Sequence, residues 1–338
     1  MSTTIAIPLG NPARPALADA RGRVKHKLRV SLTDRCNLQC LYCMPDHPTW
    51  LPRETILRRE EVVRLVSVFV DRLGVRELRL TGGEPLLRRD LVEIVEALQP
   101  LRERGLERIA MTSNAVRLAP VAADLKGAGL DDLNISLDSV TPERFAALTR
   151  GDVRPVLKGI AAARDAGFPI KLNAVVIRGY NDDEVMPLVR WAKAEGLSLR
   201  FIEFMPLDGR GLWTRDKVVS EAEILEAVGR EFKVERLPRT DEPAEYFLLD
   251  DTFRLGIIPT ISNPFCSRCD RVRLSATGEL YSCLFSEKCR DLKTPLRTGA
   301  TDDELAALVQ GHVWHKEAGY AVRPGYVERP VTMHHLGG

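Results

Sequence analysis

The sequence predicts an α/β fold: an incomplete (βα)6 barrel of the TIM type, followed by a smaller cysteine-bearing domain. Three observations predict it. Short strand-like runs alternate with amphipathic helical stretches six times, alternate positions within those strands are polar, and seven cysteines fall into two separate groups. With 338 residues, of which 44% are hydrophobic, the chain is long and apolar enough to bury a full core.

The barrel elements follow one another along the chain. Residues 1–24 are rich in Pro, Ala and Arg and lack periodicity, so we expect a flexible lead-in. Amphipathic stretches such as 58–73 and 181–195 lie between strands, the second opened by Asn181-Asp182-Asp183 as a cap. This alternation predicts right-handed βαβ units and a parallel sheet. The predicted strands are 27–32, 76–81, 107–112, 132–137, 170–177 and 198–204.

The count of strand–helix units predicts two domains. Eight units close an ordinary barrel, and six leave it open. Beyond about residue 230 the pattern changes to shorter strands and turns, with one more helix near 302–316. We therefore expect the partial barrel to occupy 25–230 and a C-terminal domain to occupy 231–338.

Polar residues at alternate strand positions share one face of the predicted sheet. Strands covered on both sides read as continuous apolar runs, and these do not. A solvated face explains one such strand, but across six strands a polar lumen holding a large polar substrate is more economical. The positions are Arg29 and Ser31, Arg79 and Thr81, Thr112 and Asn114, Asn134 and Ser136, Lys171 and Asn173, and Arg200.

Charge composition limits the partners of this chain. Forty-nine Lys and Arg against 47 Asp and Glu leave a net charge of +2, which argues against a general polyanion binder. The arginines fall on separate strands, so no nucleic-acid partner is expected. The sequence contains no apolar run long enough to predict a membrane span. It also lacks the basic leader that would predict export. We expect a cytoplasmic protein whose phosphate recognition is local.

The first cysteine group lies directly after the first strand. Cys36, Cys40 and Cys43 place three thiols within eight residues. Full ligation of a [4Fe–4S] cluster takes four cysteines, so three leave one iron open for chemistry. The alternative is a zinc site completed by a remote ligand such as His47, but the x3/x2 spacing is not a usual zinc spacing.

The second group has two interpretations. Cys266, Cys269 and Cys283 suit an auxiliary [4Fe–4S] cluster with an open iron, and with Cys289 they also suit a four-thiolate zinc site. Four histidines near the end of the sequence could also bind a metal, but we expect them to be solvated. They are His312, His315, His334 and His335.

Two motifs carry a resemblance. The run CNLQCLYC at 36–43 resembles the cluster loop of radical S-adenosylmethionine (SAM) enzymes, and Gly82-Gly83-Glu84-Pro85 resembles their GGEP motif. Further motifs are RFIEFMP at 200–206, a CxxC-x13-C pattern with RVR at 271–273 just after its CxxC, and a Gly337-Gly338 end. With all of these motifs the chain resembles the GTP 3′,8-cyclases of molybdenum-cofactor (molybdopterin) biosynthesis. The resemblance runs from about Leu28 to the last residue.

The resemblance implies two [4Fe–4S] clusters and SAM as cofactors. The clusters fall on Cys36, Cys40 and Cys43, and on Cys266, Cys269 and Cys283. Contacts to SAM fall on Tyr42, Gly83, Ser136 and Met205. Contacts to the substrate GTP fall on Arg29, Arg79, Thr112, Lys171, Arg271, Val272 (through its backbone) and Arg273.

The resemblance also implies the reaction and its catalytic residues. A 5′-deoxyadenosyl radical takes the hydrogen from ribose C3′, and the carbon radical attacks guanine C8. Reduction, from the second cluster, then gives (8S)-3′,8-cyclo-7,8-dihydroguanosine 5′-triphosphate. Catalytic roles fall on Arg271, Arg273 and a tail ending in Gly337 and Gly338. The family further implies a homodimer, transfer of the product to cyclic pyranopterin monophosphate synthase, and an electron donor that remains unidentified.

Two positions depart from the family pattern. Ala115 ends the sequence Thr-Ser-Asn-Ala where Gly is usual, which predicts a different backbone at that turn. Glu77 stands where a basic residue is often found, which removes one expected phosphate contact. The rival hypotheses are a peptide-modifying radical SAM maturase and a non-catalytic zinc or iron–sulfur protein that recognises nucleotides or RNA.

Overall fold

The structure is a computed structural model that describes residues 16–240, 242–320 and 333–336. All six predicted barrel strands form, each within one residue of its expected boundaries. They are β1 (Lys27–Ser31), β2 (Glu77–Thr81), β3 (Arg108–Ser113), β4 (Asp132–Ser136), β5 (Ile170–Val176) and β6 (Ser198–Glu203).

Six more strands come from the C-terminal part of the chain. They are β7 (Val234–Arg236), β8 (Glu245–Leu249), β9 (Phe253–Ile258), β10 (Arg271–Leu274), β11 (Glu279–Tyr281) and β12 (Cys289–Asp291). Together the strands form one sheet in the order β12-β11-β10-β1-β2-β3-β4-β5-β6-β9-β8-β7.

The six barrel strands are flanked by two further parallel strands. β10 pairs in parallel with β1, and β9 pairs in parallel with β6. The outer neighbours of β9 and β10 are the antiparallel strands β8 and β11, so the sheet does not close on itself among the described strands. The predicted open (βα)6 barrel is confirmed, with one extra strand from the C-terminal part at each edge.

Helices cover the outer face of the sheet. The stretches predicted at 58–73, 181–195 and 302–316 become α1, α6 and α9. The described residues form ten helices, which are α1 (Arg59–Asp71), α2 (Leu91–Leu98), α3 (Ala122–Gly127), α4 (Pro142–Thr149), α5 (Val153–Asp165), α6 (Val185–Ala194), α7 (Glu221–Gly229), α8 (Lys293–Arg297), α9 (Asp302–Trp314) and α10 (Met333–Leu336).

The hydrophobic core lies between these helices and the sheet. Leu28 and Val30 of β1 point into it, while Arg29 between them points to the opposite face. In α1, Leu65 and Phe69 are four residues apart and fully buried, as an amphipathic helix requires. Burying each such side chain contributes about 1.5–3 kcal/mol, so the core stabilises the scaffold and leaves the polar face free for a site.

The lead-in is anchored over the part that the structure describes. Asp19 is buried and forms ion pairs with Arg23 at 2.7 Å and Lys25 at 2.9 Å. Residues 16–24 are therefore not the flexible segment expected from their composition, because they fill a gap beside the C-terminal part. Residues 1–15 lie outside the described part. The sheet continues past residue 230, so a domain boundary there stays a prediction.

The expected change of backbone at Ala115 is wrong. Ala115 keeps the left-handed conformation, with φ of 59°, although it carries a side chain. Its amide donates to the Ser113 hydroxyl at 2.9 Å, and the Asn114 side chain accepts from Val116 N at 3.0 Å. These side-chain hydrogen bonds hold the turn against a conformational cost of about 1–2 kcal/mol.

Candidate active site

A cavity of about 430 Å³ lies on the polar face of the open barrel. Side chains from β1 to β6 form one wall, and the C-terminal part forms the other. Twelve of the seventeen predicted site residues within the described part, counting both cysteine sets, line this cavity. They are Arg29, Arg79, Thr112, Lys171, Arg271, Arg273, Tyr42, Ser136, Met205, Cys266, Cys269 and Cys283.

Three arginines form a row across one wall. Arg29 on β1 is the register partner of Arg79 on β2 and of Arg273 on β10. Neighbouring strands lie about 4.8 Å apart, so the parallel register sets three guanidinium side chains next to each other. In the described part of the chain neither Arg29 nor Arg273 forms an ion pair with a carboxylate. The row therefore offers concentrated positive charge to an anion.

The positive charges of these arginines are destabilised by burial and by one another, so a bound anion would stabilise them. Burial, and then the charges of Arg273 and Arg271, lower the pKa of Arg29 well below its usual value. Burial likewise lowers the pKa of Arg79 and that of Arg273 to about 10. Arg79 Nη1, Arg271 Nε and Arg273 Nε are buried without a hydrogen-bond partner. A polyphosphate supplies both the charge and the acceptors that these groups lack.

Farther along the same sheet, β5 carries Lys171, whose charge is already paired. Lys171 Nζ lies 3.4 Å from the Glu242 carboxylate, which also accepts a hydrogen bond from the Tyr246 hydroxyl. Arg200 Nε donates to Asn173 Oδ1 at 2.9 Å. Glu242 thus places an anion inside a mainly cationic cavity.

The first cysteine loop leaves the end of β1 and packs against the loop after β2. Gly83 N donates to Thr33 O at 2.6 Å, and a side chain at Gly83 would place its Cβ 2.4 Å from the carbonyl oxygens of Asp34 and Arg35. Only glycine permits this approach. Burial raises the pKa of the Cys36 thiol to about 11. Burial also raises the pKa values of Cys40 and Cys43, and the negative charge of a neighbouring cysteine raises both further.

Glu84 ties this loop to β3. Its carboxylate accepts from Ser113 Oγ and Asn114 N, both at 2.7 Å, and from Leu86 N at 3.0 Å. Asn114 Nδ2 in turn lies 3.7 Å from Cys36 Sγ. Burial raises the pKa of Glu84 to about 7. The acidic residue of this motif therefore braces the cysteine loop.

Tyr42 connects the same loop to β4. Its hydroxyl donates to Asp138 Oδ2 at 2.7 Å, and Asp138 Oδ1 accepts from Val175 N at 2.8 Å. Burial raises the pKa of Asp138 to about 6. This contact fixes the tyrosine ring between Cys40 and Cys43, on the cavity side of the loop.

The second cysteine set lies at the other end of the cavity. Gly319 packs on Cys266 so closely that a Cβ there would lie 2.7 Å from Cys266 Sγ. Burial alone would raise the pKa of Cys269, but the charges of Arg271 and Lys316 lower it to about 6. Lys316 Nζ lies 3.3 Å from Cys269 Sγ. This thiol is thus held as a thiolate, the form that binds metal.

The donor sets fit iron–sulfur clusters better than single ions. Within each set of three, the thiols interact electrostatically. Among the described residues, however, no three Cys, His, Asp or Glu side chains converge closely enough to hold one ion. A four-iron cluster presents a separate iron to each thiolate, so its ligands need not converge on a point. Cys289 is exposed, and its Sγ lies 3.9 Å from Glu279 Oε1.

Five predicted site residues do not line the cavity as side chains in the described structure. Gly83 lies behind the first cysteine loop, and the Val272 side chain is buried in the core between Arg271 and Arg273. Cys36, Cys40 and Cys43 lie beside the cavity wall rather than in it. Gly337 and Gly338 fall outside the described residues.

The histidines expected to be solvated include one that is not. His334 in α10 is buried, packs edge-on against Trp50 with ring centroids 6.2 Å apart, and hydrogen-bonds the backbone of Cys43. Burial lowers its pKa to about 4. The segment Met333–Leu336 therefore lies against the first cysteine loop.

Sequence analysis missed several residues of the cavity wall. Arg23, Arg108, Glu242 and Lys316 line it, and Lys25 is buried next to it. Arg108 follows the alternation of β3 through Ala110 to Thr112, so the pattern that identified Thr112 could also have identified it. The other four, Arg23, Lys25, Glu242 and Lys316, lie in irregular segments. Asn134, Asn173 and Arg200 were identified as lumen positions and do line the cavity.

Comparisons with known proteins agree with this architecture. The Radical SAM superfamily matches residues 30–192, and the Molybdenum Cofactor Synthesis C family matches residues 197–322. SuiB of Streptococcus suis, solved with its precursor peptide SuiA, superposes with a TM-score of 0.63 over 88% of this chain and 68% of that one, at 13% identity. The fold and the three-cysteine loop define a radical SAM enzyme.

Curated relatives identify the family. The GTP 3′,8-cyclase of Streptomyces coelicolor is 44% identical over 330 residues, 95% of this chain and 96% of that protein. GTP 3′,8-cyclase 2 of Mycobacterium tuberculosis is also 44% identical, over 99% of this chain and 95% of that protein. The chain belongs to the GTP 3′,8-cyclase family. No helix among the described residues has the length and apolar character needed to cross a membrane.

Proposed function

We propose a division of labour within the cavity for the reaction of this family. The protein is a radical SAM lyase that cyclises GTP in the first step of molybdenum-cofactor biosynthesis, and it uses SAM and two [4Fe–4S] clusters. When bound, SAM and the first cluster supply the 5′-deoxyadenosyl radical that removes ribose H3′ so that C3′ can attack guanine C8.

Cys36, Cys40 and Cys43 would hold the first cluster, and Tyr42, Gly83, Ser136 and Met205 would position SAM beside it. The Tyr42–Asp138 hydrogen bond of 2.7 Å holds the loop, and Gly83 packs against the loop backbone where a side chain would not fit. Ser136 and Met205 line the same cavity as Tyr42. These residues orient the cofactor and exclude water from the radical.

The arginine row would bind the triphosphate. Arg29, Arg79 and Arg273 are aligned by register, and Arg271 and Lys171 also face the cavity. Each charge-assisted hydrogen bond to phosphate contributes about 1.5–3 kcal/mol. Thr112 on β3 contributes a hydroxyl between the arginines of β1 and β2 and Lys171 of β5, and Val272 contributes its backbone.

Cys266, Cys269 and Cys283 would hold the second cluster, with its open iron toward the guanine edge. Lining of the cavity by all three cysteines supports this placement. Arg271 and Arg273 follow Cys269 directly on β10, which links the guanine end to the phosphate row. The packing of Met333–Leu336 near Cys43 supports entry of Gly337 and Gly338 into the site as catalytic residues.

Three partner assignments and one location rest on the family resemblance. We infer a homodimer, transfer of the product to cyclic pyranopterin monophosphate synthase, and an external electron donor not yet identified. A cytoplasmic location suits seven free thiols, because reducing conditions preserve them.

The observation that carries the proposal is the placement of the arginine row and the second cysteine set in one cavity. Anaerobic reconstitution followed by iron and sulfide counts, and then SAM with dithionite in the presence and absence of GTP, tests it. About eight irons, with 5′-deoxyadenosine formed mainly when GTP is present, is the expected result. About four irons plus one zinc, with no effect of GTP, would keep the radical SAM core and reject the substrate. Zinc alone, without SAM cleavage, would reject the enzyme.

A further inference from the structure

Lys316 is a buried lysine that touches the second cysteine set. It is 2% exposed and follows α9. Its ammonium group donates to Cys269 Sγ at 3.3 Å, Arg271 O at 3.0 Å and Ser282 O at 2.5 Å. An ammonium has three donors, so these contacts use all of them. Lys316 thereby joins the CxxC segment, the start of β10 and the residue before Cys283.

The charge of Lys316 has no carboxylate partner among the ion pairs of the described residues. Lys25, which is equally buried, differs in this respect. It pairs with Asp19 at 2.9 Å and donates to the Cys269 carbonyl, not to the sulfur. Burying a lone ammonium is costly unless an anion lies close by. The described contacts offer one such anion, the sulfur of Cys269, which lies 3.3 Å from Lys316 Nζ and is a thiolate when it binds a metal.

We propose that Lys316 is a positioning residue that fixes the Cys269 thiolate and favours the one-electron-reduced form of the second cluster. The inference rests on the proposed assignment of that cluster to Cys266, Cys269 and Cys283. Hydrogen bonds to cluster sulfurs and the net charge nearby set the reduction potential of such a cluster.

The physical reason is electrostatic. Reduction adds one electron from an external low-potential donor, so the reduced site carries one more negative charge than the oxidised site. A fixed cation 3.3 Å from a ligand sulfur stabilises the more negative form. Because Lys316 is shielded from solvent, salt and water screen this interaction little. The first cysteine set has no such lysine among its described contacts, so the effect is confined to one cluster.

The test is a redox titration with dithionite, followed by electron paramagnetic resonance, on the reconstituted full-length enzyme. Lys316→Met removes the charge and all three donors. We expect the reduced-to-oxidised ratio of the second cluster at fixed potential to fall at least tenfold, which is 59 mV for one electron. The first cluster, measured in the same sample, keeps its midpoint.

Lys27→Met is the matched control for net charge. Lys27 lies next to the CxxC segment, but it pairs with Asp270 at 3.2 Å and Glu77 at 3.5 Å, is partly exposed and does not touch a sulfur. Its removal is expected to change the ratio for the second cluster less than threefold. A shift as large as that of Lys316→Met would overturn the proposal, because general charge would then explain the effect.

Iron content decides the remaining outcomes. If Lys316→Met keeps about eight irons and the midpoint does not move, the proposal is wrong. If Lys316→Met loses the second cluster, Lys316→Arg decides. Retention of about eight irons and a near-native midpoint by Lys316→Arg supports the role of charge, and loss of the cluster there as well overturns it. A wild-type enzyme with about four irons would instead reject the proposed function.

Discussion

Arg29 and Arg273 are register partners on neighbouring parallel strands, so two guanidinium side chains lie next to each other in the cavity wall without a carboxylate between them. Like charges held together under burial raise the free energy of the empty site. The sheet enforces the arrangement, because a shift of either strand by one residue would turn the arginine of that strand into the hydrophobic core. Binding of a polyphosphate relieves the repulsion.

The first prediction concerns Arg273. Arg273→Ala removes one or two charge-assisted hydrogen bonds to the triphosphate and should weaken GTP binding about 10- to 100-fold. Calorimetry with GTP and, separately, with SAM checks this, and the dissociation constant for SAM should change less than threefold. Arg117→Ala, an exposed arginine outside the cavity, is the control. Equal loss of GTP and SAM binding would contradict the assignment.

The second prediction separates the two cysteine sets. Cys36→Ser should abolish SAM cleavage, because the radical originates at the first cluster. Cys283→Ser should retain uncoupled SAM cleavage and lose cyclisation, because the proposed second cluster would bind the substrate and not SAM. Each variant should keep about four irons. Quantifying 5′-deoxyadenosine and the cyclised nucleotide in the same reaction checks both, and loss of both products in folded Cys283→Ser would refute the division of labour.

The third prediction concerns Glu242, an acidic residue of the cavity wall. Its ion pair with Lys171 is about one-third exposed, so the pair is worth about 0.2–1 kcal/mol. Glu242→Gln frees Lys171 and should tighten GTP binding up to about fivefold. Fluorescence or calorimetric titration with GTP measures this, with Glu235→Gln on the exposed edge strand β7 as the control. Weaker binding would show instead that Glu242 contacts the substrate.

The fourth prediction concerns pH. Burial raises the pKa of Glu84 from 4.5 to about 7 in the folded chain, so the folded state binds its proton more tightly than the unfolded state. The resulting stabilisation is fully present below pH 4.5 and is lost as the pH rises to about 7. Glu84→Gln mimics the protonated acid, so its melting temperature should depend less on pH over this range. Parallel melting curves at pH 5 to 8 check this; equal slopes for both proteins would contradict it.

Strand alternation was sufficient to predict the barrel and much of its lumen. Arg29, Arg79 and Lys171 were found because period two in a strand fixes which face a side chain occupies. The same reasoning does not reach Lys316 or Arg23. These residues lie in irregular segments, and only the folded chain brings them to the second cysteine set. The pairing of β10 with β1 also depends on tertiary contacts, which sequence pattern does not encode.

Ala115 is a position where local residue preference led to a wrong prediction. Residue preference predicted a changed turn, because left-handed backbone favours glycine. The side chains of Ser113 and Asn114 accept hydrogen bonds from the amides of Ala115 and Val116. These bonds stabilise the left-handed turn and outweigh the preference for glycine. Local propensity is a weak guide where side chains on both sides determine the backbone.

The pairing of Lys27 with Arg271 has a consequence for biosynthesis of the protein. β1 leaves the ribosome long before β10, the strand that covers one of its edges. Until then β1 presents an uncovered strand edge, the kind of surface that recruits other chains. A nascent or truncated chain ending before Arg271 is therefore prone to aggregate, and chaperones that shield strand edges would raise the yield of folded enzyme.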